Sequence, residues 1–482
     1  MKKLLANKYF LILFLIILFA AWLRFWGYPT RYGFDIDATR DALITQYAVS
    51  SHMLPLVGPV SSLGSFTFGP WYYYQLIVFQ YIVPVTYSPW IYISLISLLT
   101  IVVMYLIGKS LINRKFALLL AFLTSIAPGQ LIAGTGLSNP DLVSLFAALA
   151  LWLFILLLKS ETPAWIAFLF GLAIGIGVNE HYQMIYFVLL PLLLLLRKNN
   201  KVNVIVFSFV GIFVSFIPLL YFNLTHNWQT VSGLLDYYIY GKNKVYFPNS
   251  WTIYLLHFWP SFWGYVFGLP SVAGLVITIS SLALSIFLII KKKVTLSYIL
   301  LFSFFMVCFL FLRYFSGERV SYYLLFLHPF LILFTGLLFW YVLKLPLGKI
   351  VLGILLLIVS YYSIKTDISR MGAVDSHIQF LNEARLLQTL YPRKDFSFFA
   401  CAGQYRNQIQ GLVFLISNSN RLGKGVKIGF SDSHCKYPPN LIENEKLKTL
   451  GAVDLSNYSV EELGKYGWTL ISPEYVYISS LK

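Results

Sequence analysis

The chain is written as a succession of apolar windows, each near 20 residues long, separated by short clusters of lysine and arginine. A helix that crosses a hydrocarbon core of about 30 Å needs roughly 20 mostly uncharged residues. In lipid, only internal hydrogen bonding removes the cost of the backbone N–H and C=O groups. Windows at about 9–26, 90–107, 116–131, 141–158, 163–178, 182–196, 203–222, 270–290, 294–312, 322–341 and 347–363 meet this requirement. With 58% hydrophobic and 11% charged residues, the expectation is an α-helical polytopic membrane protein with about eleven transmembrane helices. Soluble enzyme folds drop out.

The net charge of +17 is carried by the short clusters and forms no basic domain, which argues against nucleic acid as a partner and for membrane lipid. Cytoplasmic loops are enriched in Lys and Arg, so the clusters orient the chain. The start "MKKLLANKYFLILFLIILFAAW" has the charged and apolar regions of a signal peptide, but Arg24 follows and no A-x-A site does, so it reads as an uncleaved first span. Placing Lys2, Lys3 and Lys8 inside and alternating the spans brings Lys109, Arg114, Lys115, Lys159, Arg197, Lys198, Lys201, Lys291, Lys292, Lys293, Lys344 and Lys349 to the cytoplasmic face. This works only if "GPWYYYQLIVFQYIVPV" at 69–85 stays on the outer surface, which its flanking prolines and tyrosines favour. The expected location is the plasma (inner) membrane, with a transmembrane domain at 1–365, interfacial helices in an outer loop at 27–89, and a small extracytoplasmic α/β domain at 366–482.

In that C-terminal domain "HIQFLNEARLLQTLYP" reads as a helix, and "FSFFACAG", "GVKIGFSD" and "TLISPEYVYI" read as strands. Three cysteines exclude a disulfide scaffold and carry no metal-ligand spacing. Cys308 falls in an apolar span, and Cys401 and Cys435 can pair if the domain faces an oxidising compartment.

Eight acidic residues precede residue 365, and Asp35, Asp37, Asp41, Asp141, Glu180, Asp236 and Glu318 all fall on the outer side, with Glu161 the exception. Acidic residues contribute little to orientation, so this bias calls for another cause. The densest group is "RYGFDIDATRDALI" at 31–44, where Arg31, Asp35, Asp37, Arg40 and Asp41 crowd together. Asp35 or Asp37 suits the N-cap of a helix continuing through "ATRDALITQYAVSS". Asp37, Arg40 and Asp41 then stand at i, i+3 and i+4 on one face, while Leu43, Ile44, Tyr47 and Ala48 form an apolar stripe that would lie on the membrane surface. Such charges serve a wet helix face equally well; the sharper reading is a general base oriented by a neighbouring arginine.

The order "AWLRFWG", "DIDATRDA", "LPLVGP", "GPWYYY" resembles the first outer loop of the GT-C glycosyltransferases, in the branch of the protein O-mannosyltransferases and the lipid A aminoarabinose transferase. The resemblance continues through "GLSNPDLVSLF", "IPLLYFNLTHNW" and "RVSYYLLFLHPFLIL", over roughly residues 10–340. It implies the GT-C fold and transfer of a sugar, with inversion, from a polyprenyl-phosphate donor to a lipid, glycan or protein acceptor on the outer face. In the family an Asp-Glu pair followed by Arg carries the catalytic base. The matching positions make Asp37 the base and Arg40 the arginine, while Ala38 replaces the glutamate and leaves open whether Asp35 or Asp41 does its work.

The chemistry agrees: the attacking hydroxyl must give up a proton, and the lipid-phosphate leaving group needs cationic or hydrogen-bonding stabilisation more than a strong acid. Arg313 and Arg319, with Tyr322 and Tyr323 as donors, are candidates for gripping the phosphate; snorkelling arginines in an aromatic belt would look the same. Asp141 and Glu180 are candidates for binding the acceptor or a cation. His181 and His226 complete the candidate substrate-binding set, although lone histidines at helix ends are more often structural. No cofactor is implied, and no spacing requires a metal. "DID" matches the D-x-D of nucleotide-sugar transferases without a Rossmann-like unit around it, and "NLT" at 223–225 fits a glycosylation sequon. The alternative is a polytopic polysaccharide polymerase or ligase, which would place its main functional loop late in the chain, or a secondary transporter, which would place charge at mid-membrane in paired halves.

Overall fold

The computed structural model describes the chain apart from residues 1, 28–34, 62–63, 160–161, 164, 198, 240–249, 316–318, 370–376, 402–405, 418–420, 432–434, 440, 442–443 and 481–482. Arg31, Glu161, Lys198 and Glu318 therefore lie outside the described residues.

After α1 (Lys2–Phe25) come α2 (Ile36–Ser51), α3 (Trp71–Ile82), α4 (Ser88–Leu111), α5 (Arg114–Ile126) and the short α6 (Pro128–Ala133). A 3-10 turn at Asn139–Leu142 leads into α7 (Val143–Leu157), and α8 (Trp165–Glu180) precedes a long 3-10 helix at Tyr182–Leu196. α9 (Lys201–Thr225) and α10 (Gln229–Ile239) follow; α11 (Trp251–Ile253), a π-helical turn at Tyr254–Phe258 and α12 (Trp259–Phe267) then run on as one unit. α13 (Ser271–Ile290), α14 (Leu296–Tyr314), a 3-10 turn at Ser321–Leu327, α15 (His328–Val342) and α16 (Gly348–Ser369) complete the helical part.

Among the described residues, 8 helices are long and apolar enough to cross a membrane. α8 and the stretch Tyr182–Leu196 are shorter apolar helices, and the 13-residue α5 packs along α1 with a contact near each of its ends. Arg114, at the start of α5, lies 5.9 Å from the ring of Tyr9 near the start of α1. At the other end, buried Arg24 of α1 donates to the Ser125 carbonyl of α5 at 3.3 Å and to Ser97 Oγ of α4 at 2.9 Å. Arg197, after Tyr182–Leu196, donates to the Leu157 carbonyl at the end of α7 and to the Thr162 carbonyl before α8. A 3-10 helix rises about 2 Å per residue, so its 15 residues reach about 30 Å. Among the described residues, eight helices of spanning length and two shorter apolar ones thus stand where the sequence reading expects about eleven spans.

α8 and α9 meet backbone to backbone. Gly171 and Gly175 stand four apart on α8, and a Cβ on Gly171 would lie 1.8 Å from the Ser208 carbonyl oxygen of α9. Small residues at this spacing let membrane helices approach closely.

The segment 69–85 forms only the 12-residue α3, too short to cross. The unit at 251–267 falls between the apolar windows at 203–222 and 270–290, where Pro260 and closely spaced aromatics obscure a helical period. Its Tyr254 hydroxyl donates to the Phe309 carbonyl near the end of α14. Its last turn is closed by Gly268 at φ 67, where a Cβ would meet Pro128 at 2.7 Å. Both of its ends sit at the same end of the bundle, so it does not cross.

The C-terminal residues form a four-stranded sheet of order β3-β2-β1-β4, built from β1 (Phe396–Cys401), β2 (Val426–Ser431), β3 (Ala452–Asp454) and β4 (Thr469–Ile471). β1 and β2 are parallel, and both outer pairings are antiparallel. α17 (His377–Leu390) precedes the sheet, α18 (Arg406–Ser417) makes the β1–β2 crossover, and α19 (Glu445–Lys448), α20 (Val460–Lys465) and α21 (Pro473–Ser480) complete the unit. The expected strand "TLISPEYVYI" splits in two: Thr469–Ile471 pairs with β1, and the rest is helical. Pro473 has no N–H for a ladder but fits the first turn of a helix, and Ser472 Oγ accepts from the Tyr475 N–H to cap it. Cys401 and Cys435 are joined, with Cα atoms 5.9 Å apart.

This unit docks on α2. Leu43, Ile44 and Ala48, expected to face lipid, are buried instead against protein: Thr39 faces Gln410 of α18, Ser417 donates to Gln46 at 2.9 Å, and Tyr47 packs on Tyr477 of α21 at 5.0 Å. Contact between α2 and the C-terminal unit requires that both lie on one side of the membrane. Cysteines placed at His52 and Lys424 should therefore label with an impermeant maleimide from one side of sealed vesicles, and one at Lys292 from the other. Opposite accessibility of the first two would refute the fold as described.

Candidate active site at the first loop

α2 begins where Asp35 Oδ1 accepts from the Ala38 N–H at 2.8 Å, an N-cap that satisfies one free helix donor. One turn on, Arg40 donates through Nη1 to Asp37 Oδ1 at 2.7 Å and through Nε to Asp41 Oδ1 at 2.8 Å. The face anticipated from the i, i+3, i+4 spacing is thus formed. The two carboxylates differ sharply in setting: the Asp37 side chain is 57% exposed and the Asp41 side chain 0%. From α3 the Tyr73 hydroxyl donates to Asp41 Oδ1 at 2.8 Å, while Asp41 Oδ2 is buried without a hydrogen-bond partner.

Burial raises the Asp41 carboxyl from its ordinary 3.8 to about 6, against the opposing pull of Arg40. Burial alone would lower the Arg40 guanidinium, but Asp41, Tyr73 and Asp37 around it push it up.

Asp37 and Arg40 line a cavity that opens to solvent, with about 750 Å³ of empty space including its mouth. Opposite them stand Ser138 and Asn139, the His181–Tyr182–Gln183 junction, Tyr237 and Tyr238 of α10, and Phe315, Tyr322 and Tyr323. A short hairpin closes one side: Gly58 N–H donates to the Phe68 carbonyl and Phe68 N–H to that of Pro59, presenting Phe66 and Phe68 to the cavity. Gly69 follows because a Cβ there would lie 1.7 Å from Asn179 Oδ1. His181 is stacked between Phe68 at 5.1 Å and Tyr323 at 4.8 Å.

Of the residues singled out from sequence, Asp37, Arg40, His181, Tyr322 and Tyr323 share this cavity. Asp35 is the helix cap and Asp41 lies behind Arg40. Asp141 accepts from the N–H and Oγ of Ser138, both at 3.0 Å, and so shapes the turn that brings Ser138 and Asn139 to the cavity. Glu180 is fully buried, accepting from Gln75 Nε2 of α3 at 2.6 Å. Arg313 lies over Trp251 at 4.8 Å; Arg319 lies over Tyr254 at 5.3 Å and donates to the carbonyls of Arg313 and Phe315, each at 3.1 Å. The two arginines staple the end of α14 to the 251–267 unit, and neither lines the cavity. His226 stacks on Phe222 at 4.1 Å, at the exposed end of α9.

Tyr73, Asn139, Tyr182, Tyr237 and Tyr238 were not singled out. Tyr73 sits inside "GPWYYY", where an aromatic belt explains the tyrosines equally well, and Tyr237 and Tyr238 lie in "LLDYYIY", which has no signal beyond its composition. Among the described residues, no three His, Cys, Asp or Glu side chains converge as a metal site.

Residues 70–222 match the family model of dolichyl-phosphate-mannose-protein mannosyltransferase. No curated protein sequence matches the chain. Among solved structures, ArnT from Cupriavidus metallidurans in the apo state aligns with a TM-score of 0.58 at 10% identity, over 88% of this chain and 93% of that one. The same protein bound to undecaprenyl phosphate gives 0.55 at 10% identity, over 89% and 93%. The Archaeoglobus fulgidus oligosaccharyltransferase in its apo form gives 0.54 at 13% identity over 84% of this chain, which spans only 64% of that protein's length.

A carboxyl whose pKa rises on folding contributes its stability fully below the unfolded value and loses it as pH climbs through the folded value. Relative to Asp41→Asn, the purified wild type should lose roughly 3 kcal/mol of stability between pH about 4 and about 7. The check is the thermal unfolding midpoint of both proteins across that range; parallel profiles would show that Asp41 ionises as it does in the unfolded chain.

Proposed function

We propose that this chain, which has the GT-C glycosyltransferase fold, transfers a sugar from a polyprenyl-phosphate donor to an acceptor hydroxyl, with Asp37 as general base. The observation that carries the reading is the exposed Asp37 carboxylate on the cavity wall, held by an arginine that is itself anchored to buried Asp41. The family match over residues 70–222 and the fold shared with a protein that binds undecaprenyl phosphate support the donor class.

In this reading the acceptor oxygen attacks the anomeric carbon as Asp37 takes its proton. The bond from that carbon to the phosphate oxygen breaks on the opposite face, so configuration inverts and the lipid phosphate departs with the bonding electrons. Arg40 is the one cation among the described lining residues, and it orients Asp37 while facing the developing phosphate charge. Tyr322 and Tyr323 offer hydroxyls to the phosphate, and Arg313 and Arg319 act one layer back by fixing Phe315 and the turn that carries these tyrosines. The aromatic walls suit the apolar faces of a sugar ring. The site lies at the extracytoplasmic membrane boundary, and the acceptor is a lipid, glycan or protein.

The test is transfer of labelled sugar from a panel of polyprenyl-phosphate sugars in membranes carrying wild type or Asp37→Asn. Wild type should transfer at least one sugar with inverted anomeric configuration, and the variant should lose about 100-fold or more while still binding donor. Unchanged transfer in the variant removes Asp37 as base. Failure of wild type with every donor overturns the donor class.

A further inference from the structure

A second cavity lies at the opposite end of the bundle. α14 begins at Leu296 and ends beside Phe315, and α15 follows Tyr322 and Tyr323 and ends at Val342. Residues 292–295 and 340–344 are therefore about 28 Å along the helices from the first cavity. There Lys292, Lys293 and Lys344 line one opening with Tyr298, Trp340 and Tyr341, around about 1000 Å³ of empty space, and none of the described lining residues is acidic.

Local geometry aims the lysines. Lys292 takes φ 52 as α13 ends, its N–H donates to the Ile289 carbonyl, and the Lys293 N–H donates to that of Leu288. This closed turn brings Lys292 and Lys293 to the cavity, while Lys291 points to the Phe287 ring at 6.0 Å. From the other loop, Lys344 Nζ sits 4.0 Å over the Tyr341 ring. The positive-inside tendency explains the sign of these clusters but not their convergence on a concave site, since Lys109, Lys115 and Lys349 belong to the same face and do not line it. Three lysines lining one cavity with no carboxylate among the described lining residues repel one another until an anion joins them. The aromatic lining and the adjoining end of α4 add apolar surface continuous with the membrane.

We infer that this cavity binds the phosphate headgroup of an anionic membrane lipid. The phosphate lies among Lys292, Lys293 and Lys344, and the start of the acyl region lies along Trp340. The inference does not depend on the transferase reading, and its test does not measure sugar transfer.

The test is native mass spectrometry of the full chain in detergent with phosphatidylglycerol, or with phosphatidylcholine of the same acyl chains. Phosphatidylglycerol should remain bound at least about 10-fold more than phosphatidylcholine, and binding should weaken about 100-fold in Lys292→Gln/Lys293→Gln/Lys344→Gln. Lys109→Gln/Lys115→Gln/Lys349→Gln, which removes equal charge outside the cavity, should bind as wild type does. Equal loss in both triple variants would show attraction to diffuse charge and overturn the site, as would equal binding of the two lipids. Displacement by excess inorganic phosphate would identify a free-anion site and overturn the lipid assignment. If the glutamine triple variant fails to fold, the arginine triple variant should keep binding and Lys344→Gln alone should lower it; unchanged binding in the single variant would also overturn the site.

Discussion

Burial of Asp41 is the constraint on which the first cavity depends. A carboxylate removed from water must find compensating charge or hydrogen bonds, and Asp41 finds Arg40 beside it in sequence and Tyr73 across on α3. With Arg40 committed through Nε, its Nη1 is left to grip Asp37 at the cavity wall. One buried carboxylate thus sets the direction of an exposed one through a planar guanidinium, a role that a lysine ammonium, lacking the fork, would fill poorly.

That arrangement holds only if α2 itself is held. Its apolar residues pack against α3 on one flank and against α18 and α21 of the C-terminal sheet unit on the other, and Trp90 at the start of α4 meets Phe414 of α18 at 5.6 Å. The C-terminal unit is thereby part of the architecture of the first loop. Each of Leu43 and Ile44, fully buried there, contributes about 1.5–3 kcal/mol to keeping the helix in place.

The two ends of the bundle have opposite chemistry. At one end tyrosines, a histidine and the Asp37 carboxylate line a cavity with a single described cation; at the other, lysines from two loops converge without a described counter-charge. A bilayer separates these surfaces because the spans between them carry almost no charge. The buried polar groups near span ends, such as Arg24, Arg197 and Glu180, are tied to carbonyls or amides rather than left facing lipid.

Much of this was legible in the sequence. The apolar windows marked where the membrane-length helices lie, because lipid tolerates neither charge nor unpaired backbone, and Lys292, Lys293 and Lys344 from two of the lysine clusters do gather at one end of the bundle. The i, i+3, i+4 spacing determined that Asp37, Arg40 and Asp41 share a face, since helical geometry is local. Which of them would be buried was not legible, because it depends on Tyr73 and on a C-terminal unit whose contact residues, such as Gln410 and Tyr477, lie more than 350 residues further along the chain. The same holds for Arg313 and Arg319, which look alike as phosphate ligands and as staples until Trp251 and Tyr254 are placed beneath them. Local periodicity is written residue by residue. Burial, and with it the difference between a structural charge and a reactive one, exists only once distant segments have packed.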